Sequence, residues 1–158
     1  MDEDLASLLG PALAGALERK GYASLTAVQK TVLDPALAGR DLRITSQTGS
    51  GKTLAIGFAL RDLVPPPAAH AGPARPRAIV VAPTRELAAQ VEARRSWLYA
   101  PLGALLVSVT GGASGRDERR ALARGPAVVV GTPGRLLDHL GRGAIDASDV
   151  GAIVLDEA

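Results

Sequence analysis

Ser46-Gln47-Thr48-Gly49-Ser50-Gly51-Lys52-Thr53 follows a short apolar stretch, Leu42 to Thr45, and precedes a helix-like stretch, Leu54 to Leu63. Strand, loop and helix in that order form the context of a phosphate-binding loop. Gly49 and Gly51 let the main chain turn tightly, so that successive N–H groups point at one anion. The helix N-terminus adds its unpaired N–H groups and the positive end of its dipole. Lys52 would reach the β- and γ-phosphates of a nucleotide, and Thr53 would hold magnesium through its hydroxyl. Ser46 stands where the usual pattern opens with Gly or Ala, and its small side chain is compatible with that place. The competing reading, a Gly-rich turn that happens to precede a lysine, is disfavoured by the flanking pattern.

The chain has 158 residues, enough for one domain with a sizeable core. Hydrophobic residues make up 47% and charged residues 22%, which argues against wholesale disorder. Cysteine is absent, so disulfides and cysteine–zinc sites are excluded, in keeping with a reducing compartment. No apolar run approaches the roughly 18 residues needed to span a membrane. Met1-Asp2-Glu3-Asp4 has the wrong charge for a secretory signal, and a cytoplasmic location is expected. With a net charge of only +2, a nucleic-acid site would have to come from local placement of arginines. His70 and His139 lack metal-ligand spacing and read as surface or structural residues.

Along the chain, Gly10-Pro11 followed by Leu13, Leu17 and Gly21 reads as a helix with proline at its first position and glycine at its end. A second helix is predicted from Thr26 to Leu33, capped by Thr26. Gly39-Arg40-Asp41 then turns into a first strand over 42–45. Arg77 to Ala82 is a continuous apolar run, as in a strand buried on both faces. Thr84 to Leu98 has helical periodicity through Leu87, Val91, Arg94 and Leu98. Strands are predicted at 104–109, 127–130 and 151–155, and helices at 117–123 and 135–140. The alternation predicts an α/β domain with a mostly parallel sheet. Pro65 to Pro76 is the one low-complexity stretch and reads as an exposed, semi-rigid loop, more readily than as a docking site for a proline-recognising partner.

The last apolar strand delivers Asp156-Glu157 at its carboxyl end, the edge where open α/β sheets bind ligands. An Asp there can hold the magnesium of a nucleotide, and an adjacent Glu can orient or activate water. Alone, the two acids could be a solvated strand end; beside the loop at 46–53 they point to an NTPase. Pro83-Thr84-Arg85-Glu86-Leu87-Ala88, Gly111-Gly112 and Thr132-Pro133-Gly134-Arg135 fall where loops between strands and helices belong. Hydroxyls, exposed N–H groups and arginines suit a sugar–phosphate backbone held without reading bases. Helix capping by Thr84 and Thr132 is the other reading, and the two roles can coexist.

From about Gly21 to Ala158 these residues together resemble the first RecA-like domain of the DEAD-box RNA helicases. Ser46 to Thr53 resembles the family's motif I, Pro83 to Ala88 its motif Ia, Gly111-Gly112 its double glycine, and Thr132 to Arg135 its TPGR motif. Asp156-Glu157-Ala158 match the first three letters of the motif that names the family. Gly21-Tyr22 through Gln29 resembles its Q motif, which implies that Gln29 hydrogen-bonds the adenine edge and Thr26 supports the phosphate loop. Taken alone, Gln29 could equally be an exposed helix residue. Leu25 and Ala27 stand where the family usually has prolines, and the first 21 residues contain no Phe, Tyr or Trp where the family carries an upstream aromatic. Both departures bear on adenine stacking.

The resemblance implies an incomplete RecA-like P-loop NTPase domain at 41–158, with N-terminal helices and the Q-motif-like segment at 1–40. It implies ATP and Mg2+ as ligands and single-stranded RNA as partner, with local duplex unwinding driven by hydrolysis. Lys52, Asp156 and Glu157 would be catalytic. Tyr22, Thr26, Gln29, Ser46, Gln47, Thr48, Gly49, Ser50, Gly51, Lys52 and Thr53 would bind nucleotide, with Thr53 and Asp156 on the metal. Pro83, Thr84, Arg85, Gly111, Gly112, Thr132, Pro133, Gly134 and Arg135 would hold the RNA backbone. The family's second RecA-like domain supplies arginines for phosphoryl transfer and is absent from these 158 residues, so they are expected to be inactive alone. The strand bearing the family's Ser-Ala-Thr motif, usually between the phosphate-loop strand and the Asp-Glu strand, is also absent; the isolated chain is then expected to be molten, dimeric or insoluble. A short, non-catalytic RNA- or nucleotide-binding protein is the alternative. A DNA-directed helicase is disfavoured by the PTRELA and TPGR pair.

Overall fold

The computed structural model describes residues 3–65, 72–112 and 114–156. His70, Glu157, Ala158 and much of the Pro-rich stretch lie outside the described residues. The chain divides into two compact units, Met1–Arg61 and Asp62–Ala158.

The first unit is helical. Helix α1 (Glu3–Leu9), which the sequence reading did not foresee, precedes α2 (Pro11–Arg19), where proline occupies the first helical position as predicted. Leu13, Ala14, Ala16 and Leu17 form its buried stripe. Gly21, at φ 80°, ends α2: its N–H donates to Glu18 O (2.9 Å) and that of Tyr22 to Leu17 O (3.0 Å), the Schellman arrangement. Helix α3 (Ala27–Thr31) is capped by Thr26 as expected. Ala27, where a proline would also fit, takes its first position without disturbing the cap. Helix α4 (Lys52–Ala59) starts two residues before the predicted boundary and buries Leu54, Ala55 and Phe58.

The predicted strand at 42–45 does not form. Residues 41–47 carry no regular structure, Leu42 is 39% exposed, and Ile44 is only half-buried. A strand has no internal hydrogen bonds and exists only through a ladder partner. Among the described residues none pairs with this segment.

The second unit alternates β1 (Ala78–Val81), α5 (Arg85–Tyr99), β2 (Leu106–Val109), α6 (Gly115–Leu122), β3 (Val128–Gly131), α7 (Pro133–Gly141) and β4 (Ala152–Leu155). Its four strands form a parallel sheet in the order β2-β3-β1-β4, with Val80 opposite both Val130 and Val154. The uninterrupted runs AIVV and VVVG occupy the two central positions, where both faces are covered. Ile79, Val107, Val109, Val129, Leu122 and Leu136 form one buried cluster against α6 and α7. Among the described residues the edge strand β4 pairs only with β1, and Ile153 and Leu155 are about two-thirds exposed, at 67% and 66%. On α5 the predicted stripe shifts at one position: Arg94 is exposed and Arg95 is wholly buried. No helix among the described residues is long and apolar enough to cross a membrane.

Candidate functional site

In the first unit the phosphate-loop candidate closes on backbone geometry. Gly49 (φ 82°) and Gly51 (φ 90°) are both in the left-handed region, and Gly51 is the N-cap of α4. A side chain at Gly51 would be strained in φ and would collide with Gln29 Nε2. Inside the loop, Lys52 Nζ donates to Ser46 O (2.8 Å), and the Ser46 and Ser50 hydroxyls lie 2.6 Å apart. Gln47, Thr48 and Gly49 are exposed.

Gln29 joins this loop to α3. Its Oε1 accepts from the Thr26 N–H (3.0 Å), and the Thr26 hydroxyl accepts from the Gln29 N–H, a reciprocal capping box. Its Nε2 donates to Gly51 O at 3.2 Å. Gln29 is 2% exposed, so the exposed-helix reading fails. One carboxamide therefore satisfies the N–H of the α3 N-cap, Thr26, and the Gly51 carbonyl of the candidate loop. Tyr22, four residues before Thr26, is 39% exposed.

In the second unit all four strands are parallel, so their carboxyl ends share one sheet edge. Thr110 to Gly112 follow β2, Thr132 to Arg135 follow β3, Pro83 to Arg85 follow β1, and Asp156 follows β4. The three segments with backbone-gripping chemistry thus sit on three neighbouring strands, roughly 5 Å apart per step, with Asp156 next in line. Thr84 caps α5 by accepting from Leu87 N (3.2 Å). Thr132 occupies the N-cap of α7 but makes no capping bond with its side chain. Arg85, Gly111, Gly112, Pro133 and Gly134 are exposed. Gly131, the last residue of β3, has no space for a Cβ, which would lie 2.8 Å from Leu136 Cγ and from Val109 O.

Two ion pairs lie behind this edge. Asp156 Oδ2 accepts from Arg95 Nη2 at 3.3 Å, and the Arg95 side chain is fully buried. Burial lowers the pKa of Arg95, against the opposing pull of Tyr99 and Asp156. The second pair is centred on Glu118 of α6. Its Oε1 accepts from Thr110 N (3.0 Å) and Gly111 N (2.8 Å). Its Oε2 accepts from Arg135 Nε and His139 Nε2, both at 2.7 Å. Burial alone would raise the Glu118 pKa; hydrogen bonds from His139, Arg135, Gly111 and Thr110 outweigh it and hold the carboxyl below its ordinary value. Arg135 Nη1 also meets Asp138 Oδ2 at 3.2 Å. His139 is buried in this network, in keeping with its reading as a structural residue. Sequence reasoning missed Glu118 and Arg95. Both sit in charged helical runs, RDERR and ARR, that look like solvated faces.

The DEAD/DEAH box helicase profile matches residues 26–158, most of the chain. The chain belongs to this family. A DEAD-box ATP-dependent RNA helicase 53 from Oryza sativa subsp. japonica is 43% identical over 151 residues, which are 95% of this chain and 25% of that protein. The ATP-dependent RNA helicase DeaD of Klebsiella pneumoniae is 43% identical over 144 residues, 90% of this chain and 22% of that protein. Among solved structures, the RNA helicase Prp28 of Chaetomium thermophilum bound to ADP superposes with a TM-score of 0.82 at 35% identity, over 94% of this chain and 36% of that one. The fold is thus that of a DEAD-box helicase RecA-like domain. The chain spans only about a quarter of the length of these curated DEAD-box relatives.

Proposed function

We propose that this chain is the ATP- and RNA-binding N-terminal part of an ATP-dependent RNA helicase. The observation that carries the reading is the alignment of the three gripping loops and Asp156 along one edge of the parallel sheet, in the order β2, β3, β1, β4. Such an edge can hold an extended sugar–phosphate chain through main-chain N–H groups and hydroxyls, without reading bases.

The nucleotide phosphates would take the N–H groups of 48–53 and the Lys52 ammonium, which would exchange its bond with Ser46 O for a phosphate oxygen. The left-handed Gly49 and Gly51 put a tight turn before α4 and carry no side chain that would obstruct an anion there, which supports a polyphosphate as the ligand. Gln29 and Tyr22 would select adenine; Gln29 would do so while keeping its hold on Gly51 O. The Thr53 hydroxyl and the Asp156 carboxylate would each be a ligand for magnesium, whose charge would neutralise that on the phosphates. Glu157 would orient the attacking water. Thr84, Arg85, Gly111, Gly112, Thr132, Pro133 and Gly134 would face RNA, with Arg135 beside them.

A polypeptide of these 158 residues alone should bind but not turn over, because arginines from a second domain stabilise the transferring phosphate in such sites, at about 10³–10⁵ in rate. The test is to titrate the labelled chain with ADP–Mg2+, ADP without magnesium, oligouridylate and oligothymidylate, following amide shifts. Magnesium-dependent shifts at 46–53 and RNA-dependent shifts at 84–85, 111–112 and 132–134 are expected. No response to either ligand overturns the reading, and equal response to the DNA strand overturns its RNA part. RNA-stimulated ATP hydrolysis by the pure chain would overturn the predicted inactivity.

A further inference from the structure

The loop after β2 and the start of α7 are separated by more than twenty residues, yet one carboxylate holds both. Glu118 has 3% of its side chain exposed and spends one oxygen on main-chain N–H groups of Thr110 and Gly111, the other on Arg135 and His139. Its geometry fixes where Gly111 points relative to Thr132-Pro133-Gly134, the two grips carried by neighbouring strands β2 and β3. The closeness is tight elsewhere as well: a Cβ on Gly111 would lie 3.7 Å from Arg135 Cδ, and one on Gly115 would lie 3.2 Å from Arg135 Nη2.

Arg135 is therefore not a cation held ready for a phosphate. Its Nε is 2.7 Å from Glu118 and its Nη1 3.2 Å from Asp138, and Asp138 in turn takes Arg142 Nε at 2.8 Å. A guanidinium bonded by two carboxylates has its charge balanced locally, and releasing it would strand the buried Glu118. His139 completes the arrangement. Facing an ionised carboxylate, its Nε2 must carry the proton, while Nδ1 is buried without a hydrogen-bond partner. The ring thus acts as a fixed donor from beneath.

We propose that Glu118 is the positioning residue of the RNA grip, and that Arg135 serves as its structural counter-ion rather than as a phosphate ligand. This rests on the reading of the sheet edge as an RNA site. A carboxylate that never meets RNA then sets its affinity, by keeping two N–H-bearing loops in register.

The test compares Glu118→Ala, Glu118→Gln and Arg135→Ala with the unaltered 158-residue chain. Oligouridylate affinity is measured by amide-shift titration across a salt series, and ADP–Mg2+ affinity and thermal melting are measured alongside. Glu118→Ala should weaken oligouridylate binding about tenfold, with ADP binding unchanged. Glu118→Gln should recover much of that loss, because its amide oxygen still accepts from Thr110 and Gly111. Arg135→Ala should weaken binding while the slope of log affinity on log salt stays constant. A single-strand phosphate contact would instead change that slope by about 0.7. A slope change of that size in Arg135→Ala overturns the counter-ion assignment. Unchanged RNA affinity in a folded Glu118→Gln and in Glu118→Ala overturns the positioning role. If the unaltered chain binds no oligouridylate, the RNA reading itself falls and this inference with it.

Discussion

The loop at 46–53 in the first unit and the Glu118 network of the second both fix the course of the main chain, but by opposite means. The loop does it with backbone conformation: Gly49 and Gly51 at positive φ, in a partly exposed segment braced by one carboxamide. The network does it with charge: a buried carboxylate gathers two N–H groups, a guanidinium and an imidazole. Conformation encoded by glycine is local and survives exposure to water. Charge encoded by a buried acid depends on the whole surrounding helix packing, because unpaired it would not tolerate burial.

That contrast breaks most visibly at Glu118. Glu118→Ala leaves Arg135 and His139 facing a void, and urea unfolding should show a loss of about 3 kcal/mol, toward the low end for a broken buried pair because Arg135 is 25% exposed. Gly51→Ala should cost less stability, about 1–3 kcal/mol for a left-handed alanine. It should nevertheless lower ADP affinity more than any change in the second unit, since the new Cβ displaces Gln29. A Gly51→Ala chain that binds ADP normally would show that backbone geometry is not what orients the loop.

Acid sharpens the comparison further. The Glu118 carboxyl is held below its ordinary value in the folded chain. Its contribution to stability is complete above the unfolded glutamate range near pH ~4.3 and fades as pH falls through the lower folded value. Between about pH 5 and pH 3 the unaltered chain should therefore lose more stability than Glu118→Gln, as read from urea midpoints. Parallel curves would mean that the network contributes nothing ionic.

The two threonines of the sheet edge give the smallest effects and the cleanest pair. Thr84→Ala removes a capping bond to Leu87 N and should cost about 1 kcal/mol. Thr132→Ala removes no capping bond and should change stability by less than about 0.5 kcal/mol, while still lowering oligouridylate affinity. Equal melting losses in the two variants would contradict the difference in their caps.

Much of the fold was legible because its signals are local. The stretches 78–82 and 127–130 are apolar on every residue, as expected of strands covered on both faces, and Thr26 and Thr84 announced their helices as caps. The strand at 42–45 was misread for the same reason: its composition permits a strand, but a ladder partner is a property of the sheet and not of the segment. Arg94 was placed on the buried stripe where Arg95 belongs, since helical periodicity gives no hint that Asp156 waits at the end of a strand to pair with Arg95, 61 residues earlier.

The glycines of the phosphate loop, the caps, the order of strands and helices, and the family motifs were determined by the sequence itself, because each acts through neighbours a few residues away. The tertiary structure decided which of these pieces meet. It placed strand order β2-β3-β1-β4 along one edge, turned Gln29 from a capping residue into a brace for Gly51, and set Glu118 between Gly111 and Arg135. The physical reason is range: backbone conformation is settled within a turn or two, whereas a buried charge is settled only by what the folded chain brings to it.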